Sequence, residues 1–73
     1  MESTKLLKSK DVHNCRITLS KQHYFYVVAV NDVNGNQLFS AVYLDEKIGR
    51  AAYRAAYKCV VNDAPLELIY GEN

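Results

Sequence analysis

Residues 23–44 read HYFYVVAVNDVNGNQLFSAVYL, and they contain the clearest local signal of structure in the chain. Two runs rich in aromatic and β-branched residues, 23–31 and 37–44, flank a polar segment, and such runs favour strands. Between them, Asn34-Gly35 is the preferred centre of a type I′ turn, because both central residues of that turn need a positive φ. The stretch therefore predicts a β-hairpin with a two-residue loop.

The register of this hairpin predicts that neither of its faces is polar. The pairs expected on an aliphatic face are Phe25 with Leu44, Val27 with Val42, and Ala29 with Ser40. The pairs expected on a tyrosine-rich face are Tyr26 with Tyr43, Val28 with Ala41, and Val30 with Phe39. A sheet with one face in water alternates between apolar and polar residues, and this hairpin does not. We expect the aliphatic face, including Leu38, to form the core, because tyrosine hydroxyl groups prefer a wet partner.

The residues before the hairpin predict one further strand. Residues 1–11 are polar and are expected to form an arm, and residues 12–73 to form a single α+β domain. Cys15, Ile17 and Leu19 alternate with polar residues, as in a half-buried strand, and a turn is expected at residues 21–22. A two-residue loop there would place Ile17 and Leu19 on the tyrosine-rich face and would invert the core assignment.

After the hairpin, the spacing of the apolar residues changes from two residues, as in a strand, to the three or four residues typical of a helix. Asp45 is the expected N-cap of a helix over residues 46–61, and the Pro at the end of Asn62-Asp63-Ala64-Pro65 stops it. Residues 66–70 predict a short final strand. The expected fold is therefore α+β: a small antiparallel sheet in the order β-β-β-α-β with one helix packed on one face.

The helix has two different sides. Its predicted apolar stripe consists of Ile48, Ala52, Ala55 and Cys59, flanked by Ala51 and Ala56. The opposite side carries a basic stripe, which consists of Lys47, Arg50, Arg54 and Lys58. Tyr53 and Tyr57 lie four residues apart between the apolar stripe and Arg50.

Size and composition exclude several classes of protein. The chain has 73 residues, which are too few for two domains. Its formal net charge of +1 and its 49% hydrophobic residues make it too apolar and too balanced in charge for a disordered chain. The longest uncharged apolar run is too short to span a bilayer, and the first residues lack the apolar run of a secretory signal. Two cysteines are too few for a disulfide scaffold. We expect a cytoplasmic protein with reduced thiols and no membrane partner.

No pattern of residues indicates catalysis. His13, Cys15, His23 and Cys59 lack the ligand spacing of a zinc module, and Cys59 falls on the predicted buried stripe, where thiols are inert. Asp45-Glu46 is typical of a helix N-terminus. We therefore expect no enzyme activity, no metal and no cofactor.

Three families offer resemblances. The segment from Tyr26 to Lys58, with its N-D-x-x-G turn and its Ala-rich helix after Asp45-Glu46, resembles HicB-type antitoxins, which implies a partial RNase H-like core paired with a toxin. The proline and glycine pattern typical of that hairpin is absent. The helix is similar to the last helix of double-stranded RNA-binding domains, without their lysine-rich entry. In size and lack of a catalytic motif the chain is similar to small phage or mobile-element inhibitors of the anti-CRISPR type, which implies occlusion of a host defence protein.

These observations predict a non-enzymatic inhibitor or regulator that binds a host protein, with a homodimer through the sheet face as an open possibility. The expected partner-binding residues are Tyr24, Tyr26, Phe39, Tyr43, Arg50, Tyr53, Arg54 and Tyr57. One alternative is a nucleic-acid-binding protein that uses Lys47, Arg50, Arg54 and Lys58. The other is an antitoxin-like or autoregulatory component.

Overall fold

The computed structural model describes residues 4–69, which form a four-stranded antiparallel sheet with a helix against one face. The strands follow one another across the sheet in chain order, so a hairpin joins each strand to the next. The elements are β1 (Thr4–Val12), β2 (Cys15–Gln22), β3 (Phe25–Asp32), β4 (Gln37–Tyr43), α1 (Glu46–Val61) and a 3₁₀ turn (Leu66–Leu68). The predicted α+β class is confirmed. The predicted order β-β-β-α-β is wrong, because four strands precede the helix and the expected final strand is a 3₁₀ turn.

The strand that the sequence did not predict is β1, which lies in the stretch expected to be a polar arm. It pairs with β2 along its length, with Lys8 opposite Leu19. The register shifts between Leu6 and Lys8, and at this bulge Leu7 packs against the core while Leu6 stays exposed. Lysines protect an edge strand from pairing with other chains. The same lysines interrupt the alternation of apolar and polar residues, and for this reason the sequence pattern did not predict a strand here.

The turn between β2 and β3 sets which residues share a face. It lies at residues 23–24, two positions beyond the predicted turn at residues 21–22. As a result β2 is longer than predicted, and Leu19 lies opposite Val28. Because this loop has two residues, the apolar residues of β2 share the tyrosine-rich face of β3 rather than the face of Val27.

The register of the β3–β4 hairpin is the predicted one, although its turn is not. All five predicted pairs that fall within these strands, from Tyr26–Tyr43 onwards, are confirmed. The predicted type I′ turn is wrong: the Gly35 N–H donates to the Asp32 carbonyl at 3.1 Å, and Gly35 takes a φ of 87° at the end of a three-residue loop. One extra residue in β4, Leu38, forms a bulge that offsets the longer loop.

The helix begins and ends where the sequence predicts. Asp45 is the N-cap, and its Oδ1 accepts the N–H of Lys47 at 2.8 Å. At the other end the Asp63 N–H donates to the Val60 carbonyl at 3.3 Å, and the next N–H donates to the Cys59 carbonyl at 2.8 Å. This is a Schellman motif, and Asp63 occupies its left-handed position with a φ of 57°.

The helix covers the tyrosine-rich face, so the predicted aliphatic core is wrong and the inverted assignment is right. The core residues are Ile17, Leu19, Val28, Val30, Tyr43, Ala52, Tyr53, Ala56, Cys59 and Ile69. Ile17 and Leu19 decide this, because they add aliphatic side chains to the face that carries Tyr43. Burying a tyrosine here leaves no orphan group: within residues 4–69 every buried side-chain nitrogen or oxygen has a hydrogen-bond partner.

The buried side of the helix is rotated from the predicted stripe toward Tyr53. Gly49 and Tyr53 are buried, Ile48 and Ala55 are half-buried, and Ala51 is exposed. A Cβ at Gly49 would lie 3.2 Å from the Cβ of Tyr26 on β3. The lack of a side chain at Gly49 therefore allows the helix to sit close to the sheet.

The chain returns to the core after the helix. Residues 66–68 form the 3₁₀ turn, and the next residue, Ile69, is 5% exposed. Tyr70, the last residue of the predicted strand, lies outside the described residues. Leu66 and Ile69 thus complete the core without adding a strand to the sheet, whereas Leu68 is 70% exposed.

Candidate binding surfaces

The residues predicted to bind a partner divide into buried and accessible groups. Tyr43 and Tyr53 are core residues, and Tyr26 and Phe39 are half-buried under the helix. Tyr24, in contrast, is 86% exposed in the β2–β3 turn, where its ring stacks on His23 with centroids 5.9 Å apart. The tyrosine-rich sheet face is therefore the inside of the molecule, not a surface.

The sheet face opposite the helix, hereafter the open face, carries the aliphatic residues that the sequence assigned to the core. One row of neighbouring residues crosses all four strands in the order Leu6, Ser20, Val27 and Val42. Leu6 is 58% exposed and Val42 is 49% exposed, and Leu44, just beyond β4, is 69% exposed. The open face thus presents large apolar side chains to solvent on both edge strands.

The other end of the open face is polar. A row there runs from Asp11 through Arg16 to Asn31. The Arg16 guanidinium donates to both carboxylate oxygens of Asp11, at 2.8 Å and 3.2 Å. This hydrogen-bonded pair lowers the pKa of Asp11 below its usual value and is exposed to solvent. The open face therefore has an apolar end and a charged end.

A groove of about 400 Å³ separates β1 from α1. It is lined by Lys8, Ser9, Lys10, Tyr53, Arg54, Tyr57 and Lys58. The Lys10 Nζ lies over the Tyr57 ring, 5.3 Å from its centroid. Burial, together with the charge that Tyr57 acquires on ionisation, raises the pKa of Tyr53, whose hydroxyl stays neutral at physiological pH. We refer to this feature as the basic groove.

The structure divides the basic stripe predicted on the helix. Arg54 and Lys58 line the basic groove. Arg50 instead forms an ion pair with Glu46, one turn earlier, at 2.8 Å. Lys47 lies in the first turn and is exposed. Sequence reasoning assigned Lys8 and Lys10 to a polar arm and did not group them with the helix residues, because it did not predict the strand that carries them.

A second cavity, of about 620 Å³, lies at the end of the sheet where two turns meet. Its walls include His13, Cys15 and Asp32. The Asp32 carboxylate accepts the backbone N–H groups of Asn34 and Asn36, each at 2.9 Å, and these bonds lower its pKa. Asp32 is therefore a turn-forming residue. Within residues 4–69 no three His, Cys, Asp or Glu side chains gather as a metal site would require.

Two further findings concern the class of protein. No helix in the described part of the chain is long and apolar enough to cross a membrane. Comparison with protein-family models, with curated proteins and with solved structures gave no match. The resemblances to antitoxins and to phage inhibitors stay predictions. The candidate binding surfaces of the molecule are the open face and the basic groove.

Proposed function

We propose that this protein is a non-enzymatic regulator or inhibitor that binds a larger protein through its open face and acts by covering that partner's surface. The observation that carries the proposal is the apolar row of the open face, in which Val27 and Val42 are neighbours and Ser20 separates Leu6 from Val27; Leu6 is 58% and Val42 49% exposed. Contiguous exposed apolar residues are typical of protein interfaces. The likeness in size to phage-encoded inhibitors is the reason to test occlusion of a partner as the mode of action.

The two ends of the open face suit recognition of a protein surface. The apolar row can supply the desolvated centre of an interface, and the exposed Arg16–Asp11 pair can supply its polar rim. Tyr24 extends the contact area at the β2–β3 turn, because its exposed ring can bury apolar area and keep its hydroxyl in water.

The size of the open face favours a different protein over a second copy as the partner. Strands of seven to nine residues in a four-stranded sheet give a face of about 25 Å by 20 Å. Two such faces in contact bury about 1,000 Å² in total, less than the roughly 1,200–2,000 Å² of stable interfaces. A larger partner can also enclose the β4 edge and the turns, and so reach the usual area.

The test is affinity capture from a lysate of the source cells with two matched variants. Val42→Glu places a charge in the apolar row, and Val33→Glu makes the same change at a β3–β4 turn residue that is 72% exposed. If the open face binds the partner, Val42→Glu weakens capture at least about 30-fold, the loss expected at an interface hot spot. Val33→Glu leaves capture unchanged.

Two results would contradict the proposal. Equal loss of capture with both variants would mean that the open face has no special part. A concentration-dependent dimer by light scattering, which Val42→Glu converts to a monomer, would assign the open face to self-association. Once a partner is identified, its activity in the presence of wild type and of Val42→Glu tests occlusion directly.

A further inference from the structure

The basic groove concentrates positive charge on both of its walls. β1 contributes Lys8 and Lys10, and α1 contributes Arg54 and Lys58. Among residues 4–69, no acidic residue lines the groove. Since the whole chain carries a formal charge of +1, these four cations leave a formal charge of −3 on all other residues. Positive charge is therefore concentrated in the groove, although the net charge of the whole chain is close to zero.

The four cations are exposed to solvent, and the Lys10 Nζ, which lies over the Tyr57 ring, has to move aside before a base can stack on that face of the ring. The ion pairs within the described residues join Arg16 to Asp11 and Arg50 to Glu46, and neither includes a groove residue. Like charges in one groove repel one another, so an anionic ligand that bridges the walls relieves this repulsion.

The spacing of the cations follows the geometry of their elements. Two residues apart on a strand, Lys8 and Lys10 are separated by about 6.6 Å at their Cα atoms. Arg54 and Lys58, four residues apart on the helix, have Cβ atoms about 5–6 Å apart. Successive phosphates of an extended nucleic-acid strand are a comparable distance apart. Each wall can therefore contact two neighbouring phosphates.

The floor of the groove is aromatic. Tyr57 is half-buried between the two walls, and Tyr53 lies deeper, in the core. Tyrosine rings provide stacking surfaces for bases of any sequence, whereas an acidic peptide gains nothing from them beyond apolar contact. Charge and stacking together favour a single strand.

We propose that the basic groove binds single-stranded nucleic acid, with its phosphates on Lys8, Lys10, Arg54 and Lys58 and a base against Tyr57. This site is distinct from the open face and goes beyond the protein-binding function. It differs from the basic stripe of the sequence prediction, because it includes two β1 lysines and excludes Arg50 and Lys47.

The first test measures binding of the full chain to a fluorescein-labelled dT12 oligonucleotide by anisotropy, at 50–200 mM NaCl. Neutralising four phosphates predicts a slope of about −3 in log K against log salt, an affinity loss of about 50-fold over this range. Arg54→Ala with Lys58→Ala halves that slope. Lys21→Ala with Lys47→Ala removes two charges elsewhere and leaves the slope unchanged.

The second test addresses stacking. Tyr57→Leu removes the π surface while keeping an apolar side chain, and it weakens dT12 binding about tenfold; Tyr57→Phe keeps the affinity. Circular dichroism confirms that both variants are folded. Equal loss with both variants would overturn the stacking role of the ring.

The probes also separate nucleic acid from other polyanions. A labelled 12-residue polyglutamate peptide and a 12-base-pair duplex are measured beside dT12 under the same conditions. Preference for dT12 over both supports the proposal. Equal binding of polyglutamate overturns it in favour of an acidic protein ligand, and equal binding of the duplex overturns the single-strand assignment. No binding of dT12 at 50 mM NaCl overturns the site itself.

Discussion

Gly49 controls how closely the helix lies on the sheet, and the change in unfolding free energy caused by Gly49→Ala tests how tight this contact is. In an unconstrained helix interior this change stabilises by about 1 kcal/mol, because Ala has the higher helix propensity. Here the new Cβ would lie 3.2 Å from the Cβ of Tyr26 and 3.8 Å from a methyl group of Leu19. Carbon atoms prefer separations of about 3.5–4.0 Å.

The contact with Tyr26 cannot relax by a side-chain rotation. Its Cβ is fixed to the backbone of β3, which has a neighbouring strand on each side. The helix itself has to shift, and such overpacking costs about 1–3 kcal/mol. After the propensity gain of about 1 kcal/mol is set against this cost, we expect Gly49→Ala to destabilise the protein by about 1 kcal/mol.

The assay is urea unfolding followed by circular dichroism, with Ala51→Gly as the matched control. Ala51 is exposed on the same helix, so its replacement reports propensity alone and costs about 1 kcal/mol. An unchanged m-value shows that both variants unfold from a native state of the same compactness. If Gly49→Ala stabilises the protein by about 1 kcal/mol, the close approach of helix and sheet is refuted.

Three more predictions concern the caps, the core and the turn. Asp63→Gly relieves a left-handed residue and removes an acid from the helix C-terminus, and should raise the unfolding free energy by about 1 kcal/mol and Tm by about 5 °C in a thermal melt. Val28→Ala should cost about 2 kcal/mol in urea unfolding and Val27→Ala less than about 1 kcal/mol, since only Val28 is fully buried; equal costs would contradict the face assignment. The pKa of Asp32 is lower in the folded protein than its ordinary value of 3.8, so the unfolded chain binds more protons near pH 4. The ionised carboxylate therefore stabilises the fold above pH 3.8. This stabilisation is lost as the pH falls through the lower pKa of the folded state. Stability measured from pH 5 to pH 2 should therefore fall more steeply for wild type than for Asp32→Asn, and parallel curves would exclude this contribution.

Local chemistry was sufficient for the parts of the fold that neighbouring residues specify. Asp45 and the segment ending in Pro65 bracket the helix, because a cap and a residue preceding proline act within one turn of the chain. The register of the β3–β4 hairpin was also predictable, although its turn was not. The loop is one residue longer than predicted, and the Leu38 bulge adds one residue to β4. The two changes shift the register in opposite directions, so the pairs from Tyr26–Tyr43 to Val30–Phe39 are the predicted ones.

The basic groove shows where sequence reasoning stops. The positions of Arg54 and Lys58 on one side of a helix follow from a period of 3.6 residues. Lys8 and Lys10 become their neighbours only because β1 pairs with β2 and so lies beside the helix. A binding site made from separate elements depends on contacts that no local pattern encodes.

Local sequence patterns were enough to predict a small α+β protein whose central hairpin is apolar on both faces. Which of these faces the helix covers depends on contacts between strands that are distant in the sequence. That choice depends on the β2–β3 loop. Because the loop has two residues, Ile17 and Leu19 lie on the same side of the sheet as Tyr43, and the larger sum of buried apolar area is there. A shift of one residue in a strand exchanges its two faces. The one α-helix within residues 4–69 can bury only one side of the sheet, and the aliphatic side is therefore left open to solvent.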